Sequence, residues 1–386
     1  MKLCVIVPWI TQSRGGTENV GHAMANAMAG RGHEVHVLTF DPERQPARWP
    51  LAADIRLHHV TATEPGRQDD ALMLLLASIG PDLVVGLHMN RTFLQYVRAA
   101  RRVGIPVVLS EHIDPHFPRR IGTFTEPERW AAFQGATRIH LLVDAFRETL
   151  PAHLQPRIRV VPNTVPEAPV QADPDGPEDG RCTLVTVARL VPRKNMRRLL
   201  QEFASVAPAH PDWVLRVVGD GPLRGTLERD AAALGLETRV EFAGELDDVY
   251  PELARAQAFV LPSLFEGFPM VSLEAMAHGL PVVGYRLCNG INVQVLHEET
   301  GLLAERPTEA GGLARTLDRL MGDAALRRRL GAAGRARYRA DYAPDVVAAR
   351  WEELFTEAVA AGPAPRPELE TRLEAALDRL VHTETP

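Results

Sequence analysis

The amino-acid sequence predicts an α/β protein made of two doubly wound parallel-sheet domains. Short apolar runs, typical of buried parallel strands, alternate with helical segments along most of the chain. The alternation is interrupted at residues 167–180, which are rich in Pro, Gly and Asp and have the composition of a linker. A length of 386 residues is long for one domain and sufficient for two.

The N-terminal half opens with a strand over residues 3–7, a helix over 19–30 and a strand over 34–39. This strand–helix–strand order predicts a parallel sheet with right-handed connections. The alternation continues with elements predicted at residues 55–60, 69–79, 83–87, 92–103, 107–110, 126–133, 138–143 and 158–161. We therefore expect an N-terminal Rossmann-like domain over residues 1–166.

After a linker over residues 167–181, the same alternation restarts at Thr183 and predicts a second Rossmann-like domain over 182–343. Its elements are predicted at residues 183–187, 196–206, 213–218, 223–234, 240–243, 258–261, 270–278, 281–284, 309–321 and 323–330. A further helix is expected over 344–361. The remaining tail, 362–386, is expected to add one short amphipathic helix.

Composition excludes several classes of protein. The net charge of −6 is made up of 18 Lys and Arg against 15 Asp and Glu in residues 1–165, and 25 against 34 in the remainder. This balance argues against nucleic-acid binding. The three cysteines show no pairing or metal-binding spacing, which predicts a reducing compartment. No apolar run is suited to a signal peptide or a membrane span, so we expect a cytoplasmic protein.

Residues 258–284 combine features of a ligand site. An apolar strand is followed by a loop over 263–269, with an exposed phenylalanine expected, and a helix starts at Met270. Free N–H groups at a helix start favour an anion, whereas the carboxylates of Glu266 and Glu274 suit hydroxyl groups. The stretch therefore indicates a ligand with a phosphate end and a sugar end. The alternative is an ordinary strand–helix–strand unit with two solvated glutamates.

The run EGFPMVSLE resembles the Glu-seven-Glu motif of retaining, nucleotide-sugar-dependent glycosyltransferases of family 4, group 1 type. The resemblance extends from residue 2 to about residue 360. It implies the GT-B fold, in which two Rossmann-like domains face each other across a cleft. It also implies that the helix over 346–360 crosses back to the N-terminal domain.

The resemblance also implies a set of donor-binding residues. The donor phosphates would be bound by Gly15, Gly16, Arg189, Lys194, Met270 and Val271. Arg189 and Lys194 match the family's Arg-x4-Lys motif, and cations at a helix entry are unfavourable unless they serve an anion. The neighbouring Arg193 leaves open which side chains point inward. A tight turn with no ligand is the alternative for the two glycines.

Sugar and nucleoside contacts follow from the same resemblance. The donor sugar would be held by His112, Glu266, Gly267, Phe268 and Pro269, and the nucleoside by Gly219, Leu246 and Glu274. The catalytic set implied is His112, Arg189, Lys194 and Glu266. The alternative for His112 is a loop histidine with no catalytic or ligand-binding role. Glu111 departs from the family's commoner residues and its role is open.

Two loops bear on the substrates. The loop 286–292 departs from the family's common Gly-Gly-Ile-Pro-Glu, so the donor's identity is open at Asn289 and Gly290. Phe117, Arg119 and Arg120 combine an aromatic ring with cations, which suits an acceptor pyrophosphate or an anionic lipid surface. They predict an acceptor or membrane-facing loop.

The resemblance implies transfer of a hexose-type sugar from a UDP- or GDP-sugar, without a metal or other cofactor, in polysaccharide or glycoconjugate synthesis. The acceptor would be a saccharide, a lipid-linked saccharide or a small molecule, at the inner face of the membrane or in the cytoplasm. The oligomeric state is open. The alternatives are a GT-B epimerase and a catalytically silent relative that senses nucleotide sugars or acts as a scaffold. Intact Arg189, Lys194, Glu266 and Glu274 argue against a silent relative.

Overall fold

The computed structural model describes residues 1–11, 15–41, 49–60, 68–87, 92–116, 125–176 and 180–364. The chain divides into two compact units, Met1–Pro162 with Val347–Pro386, and Asn163–Val346. Each unit contains one parallel sheet, so the predicted α/β class with two Rossmann-like domains is confirmed. The described part of the predicted linker lies in the second unit. The domain limits expected from the sequence stay predictions.

The first unit is built on a seven-stranded sheet in the order β3-β2-β1-β4-β5-β6-β7 among the described residues. Its strands are β1 Lys2–Ile6, β2 Glu34–Thr39, β3 Arg56–His59, β4 Leu83–Leu87, β5 Val107–Ser110, β6 Arg138–Leu141 and β7 Ile158–Val160. Its first helices are α1 Gly16–Gly30, α2 Gln68–Ile79, α3 Thr92–Arg102 and α4 Glu126–Gln134. The central strands are buried on both faces, which explains their continuous apolar sequences.

In its described residues, the second unit holds a six-stranded sheet in the order β10-β9-β8-β11-β12-β13. Its strands are β8 Cys182–Val187, β9 Trp213–Val218, β10 Val240–Gly244, β11 Ala258–Val260, β12 Val282–Tyr285 and β13 Gly301–Ala304. Its helices are α5 Met196–Val206, α6 Arg224–Ala233, α7 Tyr250–Arg255, α8 Met270–Ala277, α9 Ile291–Gln294, α10 Gly312–Gly322 and α11 Ala324–Arg337. The strand order reverses between β8 and β11, which creates a topological switch point.

The last described helix, α12 Pro344–Ala361, belongs to the first unit from Val347 onward. Glu352 accepts hydrogen bonds from Arg31 (2.8 Å) and His33 (2.9 Å) of that unit. Trp351 and Phe355 are buried. These contacts agree with the expected return of the terminal helix to the N-terminal domain.

Helices α1, α10 and α11 differ from their predicted limits by three residues or more, and α10 begins at Gly312 instead of residue 309. Helix α1 begins at Gly16, three residues before the predicted start, with Gly15 in an extended conformation as its N-cap. Helix α11 continues to Arg337, well beyond the predicted end at residue 330. The helix runs through Gly331, where a β-carbon would lie 2.0 Å from the carbonyl oxygen of Gly279, so this glycine allows close packing and does not end the helix.

Candidate active site

The loops that follow β8 and β11 lie side by side at the switch point of the second sheet. Their strands are neighbours, and the backbone N–H of Leu264 donates to the carbonyl of Arg193 at 2.9 Å. Open α/β sheets bind ligands at the carboxyl ends of strands where the strand order reverses. The predicted Arg-x4-Lys motif and Glu266 therefore meet at the place where such a sheet forms a site.

Lys194 and Glu266 form a buried ion pair at this point. The Lys194 Nζ lies 2.5 Å from Glu266 Oε1, and Arg193 Nη1 lies 3.4 Å from Oε2. Burial by itself raises the pKa of Glu266, but the charges of Lys194 and Arg193 outweigh it and hold that pKa below its ordinary value. Glu266 is therefore an ionised hydrogen-bond acceptor at neutral pH.

A local turn explains the position of Lys194. After β8 the chain forms a single 3-10 turn over Pro192–Lys194, and Asn195 follows with a left-handed φ of 58° as the N-cap of α5. Asparagine tolerates this conformation better than most residues. Arg189 is exposed and forms no ion pair with any residue that the structure describes. Its guanidinium thus has all its donors available for an anion.

Two of the predicted nucleoside residues lie in the loops after β9 and β10. Gly219 has a φ of 124°, and a β-carbon there would lie 2.1 Å from the carbonyl oxygen of Ala188. This glycine is required because the loops after β8 and β9 touch through their backbones. The N–H of Gly219 donates to the carbonyl of Gly244 at 2.7 Å, and Leu246 follows half-buried.

Glu274 lies in α8 with surroundings unlike those of Glu266. Its carboxylate has no hydrogen-bond or ionic partner in the described ranges of the chain. Burial and then the charge of Asp248 raise its pKa to about 7. The carbonyl of Glu274 accepts a hydrogen bond from Nδ1 of His278 at 2.7 Å. A carboxyl group with these properties is suited to a ligand hydroxyl group.

The loop over 265–269 is held by residues that the sequence did not single out. Asn163 Nδ2 donates to the carbonyl of Phe268 at 2.8 Å. The carbonyl of Pro269 accepts from Ser272 Oγ at 3.0 Å and from Gln294 Nε2 at 2.8 Å. Of these three residues only Asn163 carried a local signal, because it lies three residues after β7, the last strand of the first sheet.

Phe268 is buried in the loop where the sequence predicts an exposed phenylalanine. Only 3% of Phe268 is accessible, and its ring packs edge-on against Tyr342 with 5.5 Å between centroids. The loop holds two phenylalanines, and the sequence did not say which would be exposed: Phe265 is half-buried, and Phe268 is buried because Tyr342, distant in sequence, packs on it. Only the backbone of Phe268 is left to contact a ligand, together with that of the half-buried Gly267.

The loop after β12, whose sequence departs from the family pattern, packs directly on the loop 265–269, which carries the predicted sugar-binding residues. Gly290 has a φ of 81°, and a β-carbon there would lie 2.5 Å from the carbonyl oxygen of Gly267. Helix α9 begins immediately afterwards and supplies Gln294. Hence the residues at 289–290, where the sequence departs from the family pattern, support the loop that carries Glu266.

Helix α8 begins beside the same loop. Pro269 is its N-cap, and no side chain of the described residues caps it. Met270 and Val271 are half-buried at its start. The N–H groups of the first helical turn have no partner within the helix, so they can bind an anion.

In the first unit, the predicted residues lie at the carboxyl ends of β1 and β5. Gly15 and Gly16 open α1, and Gly16 is exposed. His112 follows β5, with its Nε2 2.6 Å from Ser110 Oγ. The open question about Glu111 is answered by a buried ion pair, since its two oxygens bind Arg129 at 2.6 and 2.7 Å.

The remaining predicted residues, Phe117, Arg119 and Arg120, lie outside the described residues. Within the described part of the chain, no group of three His, Cys, Asp or Glu side chains is placed to hold a metal ion. Nor does any described helix combine the length and apolar character that crossing a membrane requires.

Two family models match the chain. Residues 171–337 match the model described as glycosyl transferases group 1, and residues 14–168 match glycosyltransferase family 4. The fold and the two family models thus define the two-sheet GT-B class. The chain belongs to the family 4, group 1 glycosyltransferases.

Similar proteins come from several bacteria. An exopolysaccharide phosphotransferase of Streptomyces coelicolor is 31% identical over 99% of this chain, but the chain covers only 43% of that protein. The structure of a sucrose-phosphate synthase from Thermosynechococcus elongatus matches with a TM-score of 0.76 at 21% identity, over 93% of this chain and 99% of that one. The Anabaena protein HepE in complex with UDP-glucose matches with a TM-score of 0.74 at 18% identity, over 92% and 99%. At these identities the two structures show a shared fold.

Proposed function

We propose that this chain is a retaining glycosyltransferase that moves a hexose-type sugar from a UDP- or GDP-sugar to a saccharide, lipid-linked or small-molecule acceptor. The reaction would need no metal or other cofactor and would serve polysaccharide or glycoconjugate synthesis. One observation carries the proposal. The buried Lys194–Glu266 pair, 2.5 Å apart, lies at the switch point of a sheet where Arg189 is also exposed. It combines cations for phosphate with a carboxylate for sugar hydroxyls.

The phosphate end of the donor would be held by fixed positive groups. Arg189 offers a planar fork of N–H donors, and Lys194 has two further N–H bonds beyond the one directed at Glu266. The start of α8 adds backbone N–H groups at Met270 and Val271. Cleavage of the sugar–phosphate bond leaves additional negative charge on the diphosphate. Preorganised donors stabilise such charge by about 3 kcal/mol each.

The two glutamates would hold hydroxyl groups at opposite ends of the donor. Glu266 is ionised and already bound to Lys194 and Arg193, so it suits sugar hydroxyls better than nucleophilic attack. Retention would then proceed by front-face attack through an oxocarbenium-like state. The leaving phosphate oxygen would take the proton of the acceptor hydroxyl. Glu274 would bind the ribose hydroxyls.

Similar proteins support a nucleotide-sugar donor and a saccharide product. HepE has been crystallised with UDP-glucose, and a 29% identical relative is named 2-deoxystreptamine glucosyltransferase. The name of the Streptomyces coelicolor relative refers to exopolysaccharide. We extend these functions to this chain as part of the proposal, with a cytoplasmic location and peripheral contact with an anionic membrane face. Retention on vesicles of anionic lipid at low salt tests the membrane contact.

Slow donor hydrolysis tests the proposed function. The protein is incubated with UDP- and GDP-linked hexoses in the presence of EDTA, and the first anomer of the released sugar is identified by NMR. We expect hydrolysis of at least one donor with retained configuration. An inverted sugar would contradict the retaining mechanism, and loss of hydrolysis with EDTA would contradict metal independence. Epimerised donor would identify an epimerase, and binding without any turnover would identify a silent relative.

A further inference from the structure

A hydrogen-bonded chain of three side chains lies inside the first unit and includes the predicted donor-sugar residue His112. Ser110, the last residue of β5, pairs in register with His140 of β6. Its Oγ lies 2.6 Å from His112 Nε2 and 2.8 Å from His140 Nδ1. The chain ends where His140 Nε2 lies 2.7 Å from the carbonyl oxygen of Val161.

The direction of each hydrogen bond follows from its partners. A carbonyl oxygen only accepts, so Nε2 of His140 must carry a proton. Burial lowers the pKa of His140 to about 4, so the ring is neutral and its Nδ1 is an acceptor. The Ser110 hydroxyl must therefore donate to His140. Its oxygen is left to accept from Nε2–H of His112.

We propose that Ser110 and His140 are positioning residues that fix His112 as the Nε2–H tautomer and place the lone pair of its ring on Nδ1. Under the proposed function, the lone pair of Nδ1, an atom that is buried in this structure, is the one assigned to a hydroxyl group of the donor sugar. The assignment of a sugar to His112 rests on the proposed function, whereas the tautomer is a property of the protein alone.

The surroundings of the chain make it rigid. Ser110 and His140 are fully buried in adjacent strands. Trp351 of α12 packs on His140 with 4.3 Å between ring centroids. The N–H of Glu111 donates to the carbonyl of His140 at 3.1 Å, and Glu111 itself is fixed by Arg129. The sheet, α4 and α12 therefore hold the three polar groups in one arrangement.

Histidine NMR tests the tautomer directly. Protein with ¹⁵N-labelled histidine is studied at neutral pH without donor, and the His112 signals are assigned by their absence in His112→Gln. We expect a protonated Nε2 and an unprotonated Nδ1 in His112 of the wild type. In Ser110→Ala we expect the two tautomers to mix, because Nε2–H has lost its acceptor. An Nδ1–H tautomer in the wild type, or an unchanged tautomer in Ser110→Ala, would overturn the proposal.

Two further variants separate positioning from general damage. Thr137→Val removes another buried hydroxyl, directly before β6, which donates to the Gly362 carbonyl at 3.0 Å and accepts from the Val107 N–H at 3.1 Å, and should keep the His112 tautomer. His140→Phe keeps a ring at this position but has no acceptor for Ser110, so it should also mix the tautomers and serves if Ser110→Ala does not fold. Loss of the tautomer preference in Thr137→Val would overturn the proposal.

Donor hydrolysis then tests the role of His112 separately. We expect Ser110→Ala to lower kcat for hydrolysis about tenfold, more than Thr137→Val does, because one misplaced contact costs about one hydrogen bond. A wild-type tautomer that depends on Ser110 without any effect on hydrolysis would leave the positioning intact and contradict the donor role of His112.

Discussion

At the scale of single residues, the two glutamates of the second unit have opposite electrostatic surroundings. Two cations keep the pKa of Glu266 below its ordinary value, whereas burial and Asp248 raise that of Glu274 to about 7. Different environments of this kind commonly separate the roles of paired carboxylates. The sequence predicted both residues from the Glu-seven-Glu motif. It could not predict the pKa values, because they depend on neighbours brought in by the fold.

Donor affinity should rise with pH through the titration of Glu274. Ribose hydroxyls donate to an ionised carboxylate, and a pKa of about 7 leaves Glu274 mostly protonated at pH 6 and mostly ionised at pH 8. We expect the Kd for an intact nucleotide sugar, whose phosphates do not titrate in this range, to fall about five- to tenfold. Isothermal titration at several pH values measures it.

Two variants serve as controls for this pH dependence. Glu274→Gln should bind more weakly with no pH dependence. Asp248→Asn should move the rise to lower pH, because Asp248 contributes to the raised pKa. In the free protein, the folded state holds this proton more tightly than the unfolded one, so the stability contribution falls as pH rises from about 4.5 to about 7. A wild-type Kd that is constant with pH would contradict the role given to Glu274.

Lys194 should contribute to both stability and activity. Lys194→Met leaves Glu266 with Arg193 alone at the buried pair, which we expect to cost about 1–3 kcal/mol of unfolding free energy. In Lys194→Met/Glu266→Gln the buried charge is removed, so stability should recover while donor hydrolysis stays lost. Urea unfolding and hydrolysis rates measure the two quantities. Recovery of hydrolysis in the double variant would show that the pair is structural only.

At the scale of elements, the site depends on backbones in close contact. Gly219 lies against Ala188, and Gly290 lies against Gly267, so four strand-end loops pack in two pairs without side chains between the paired backbones. The sequence predicted the loops and the helix starts, because strands, prolines and glycines give local signals. It did not predict the supports from Asn163 and Gln294, since these contacts join segments that are distant in sequence.

Gly290→Ala should displace the loop that carries Glu266. The added β-carbon would meet the Gly267 carbonyl oxygen at 2.5 Å, and the loop must move to relieve the contact. Gly235→Ala is the matched control, because Gly235 has a φ of 69° and nothing within 4 Å of an added β-carbon. It should show only the cost of a left-handed alanine, about 1 kcal/mol. We expect donor affinity to fall at least tenfold in Gly290→Ala alone. Equal affinity in the two variants would contradict the support role of the loop 286–292.

At the scale of the whole molecule, the chain forms two units, and its terminal helix contributes to the first. The two periods of strand–helix alternation predicted both sheets. The sequence alone did not show that Trp351 covers His140, because that contact joins residues 211 positions apart, which local periodicity does not report. The return of the terminal helix to the N-terminal domain was predicted from the family resemblance.

Trp351→Ala should loosen the first unit selectively. The residue is 4% exposed, and its removal leaves a cavity that we expect to cost about 3–5 kcal/mol. Hydrogen exchange should accelerate in β5, β6 and β7 but not in β8 to β13. Trp130→Ala is the control, because Trp130 is 37% exposed and should change exchange much less. Equal acceleration in both sheets would contradict the assignment of α12 to the first unit.

Heat protection by nucleotide sugars tests most directly the central claim that the site around Lys194 and Glu266 binds a nucleotide-sugar donor. The wild type and the variant Lys194→Met/Glu266→Gln are melted with a series of UDP- and GDP-linked hexoses, each at saturating concentration. A ligand at about 100 times its Kd adds about 2.7 kcal/mol of stability, so at least one donor should raise the Tm of the wild type by about 5 °C or more. The double variant should show a much smaller rise. No protection of the wild type by any of these donors would contradict the proposed function.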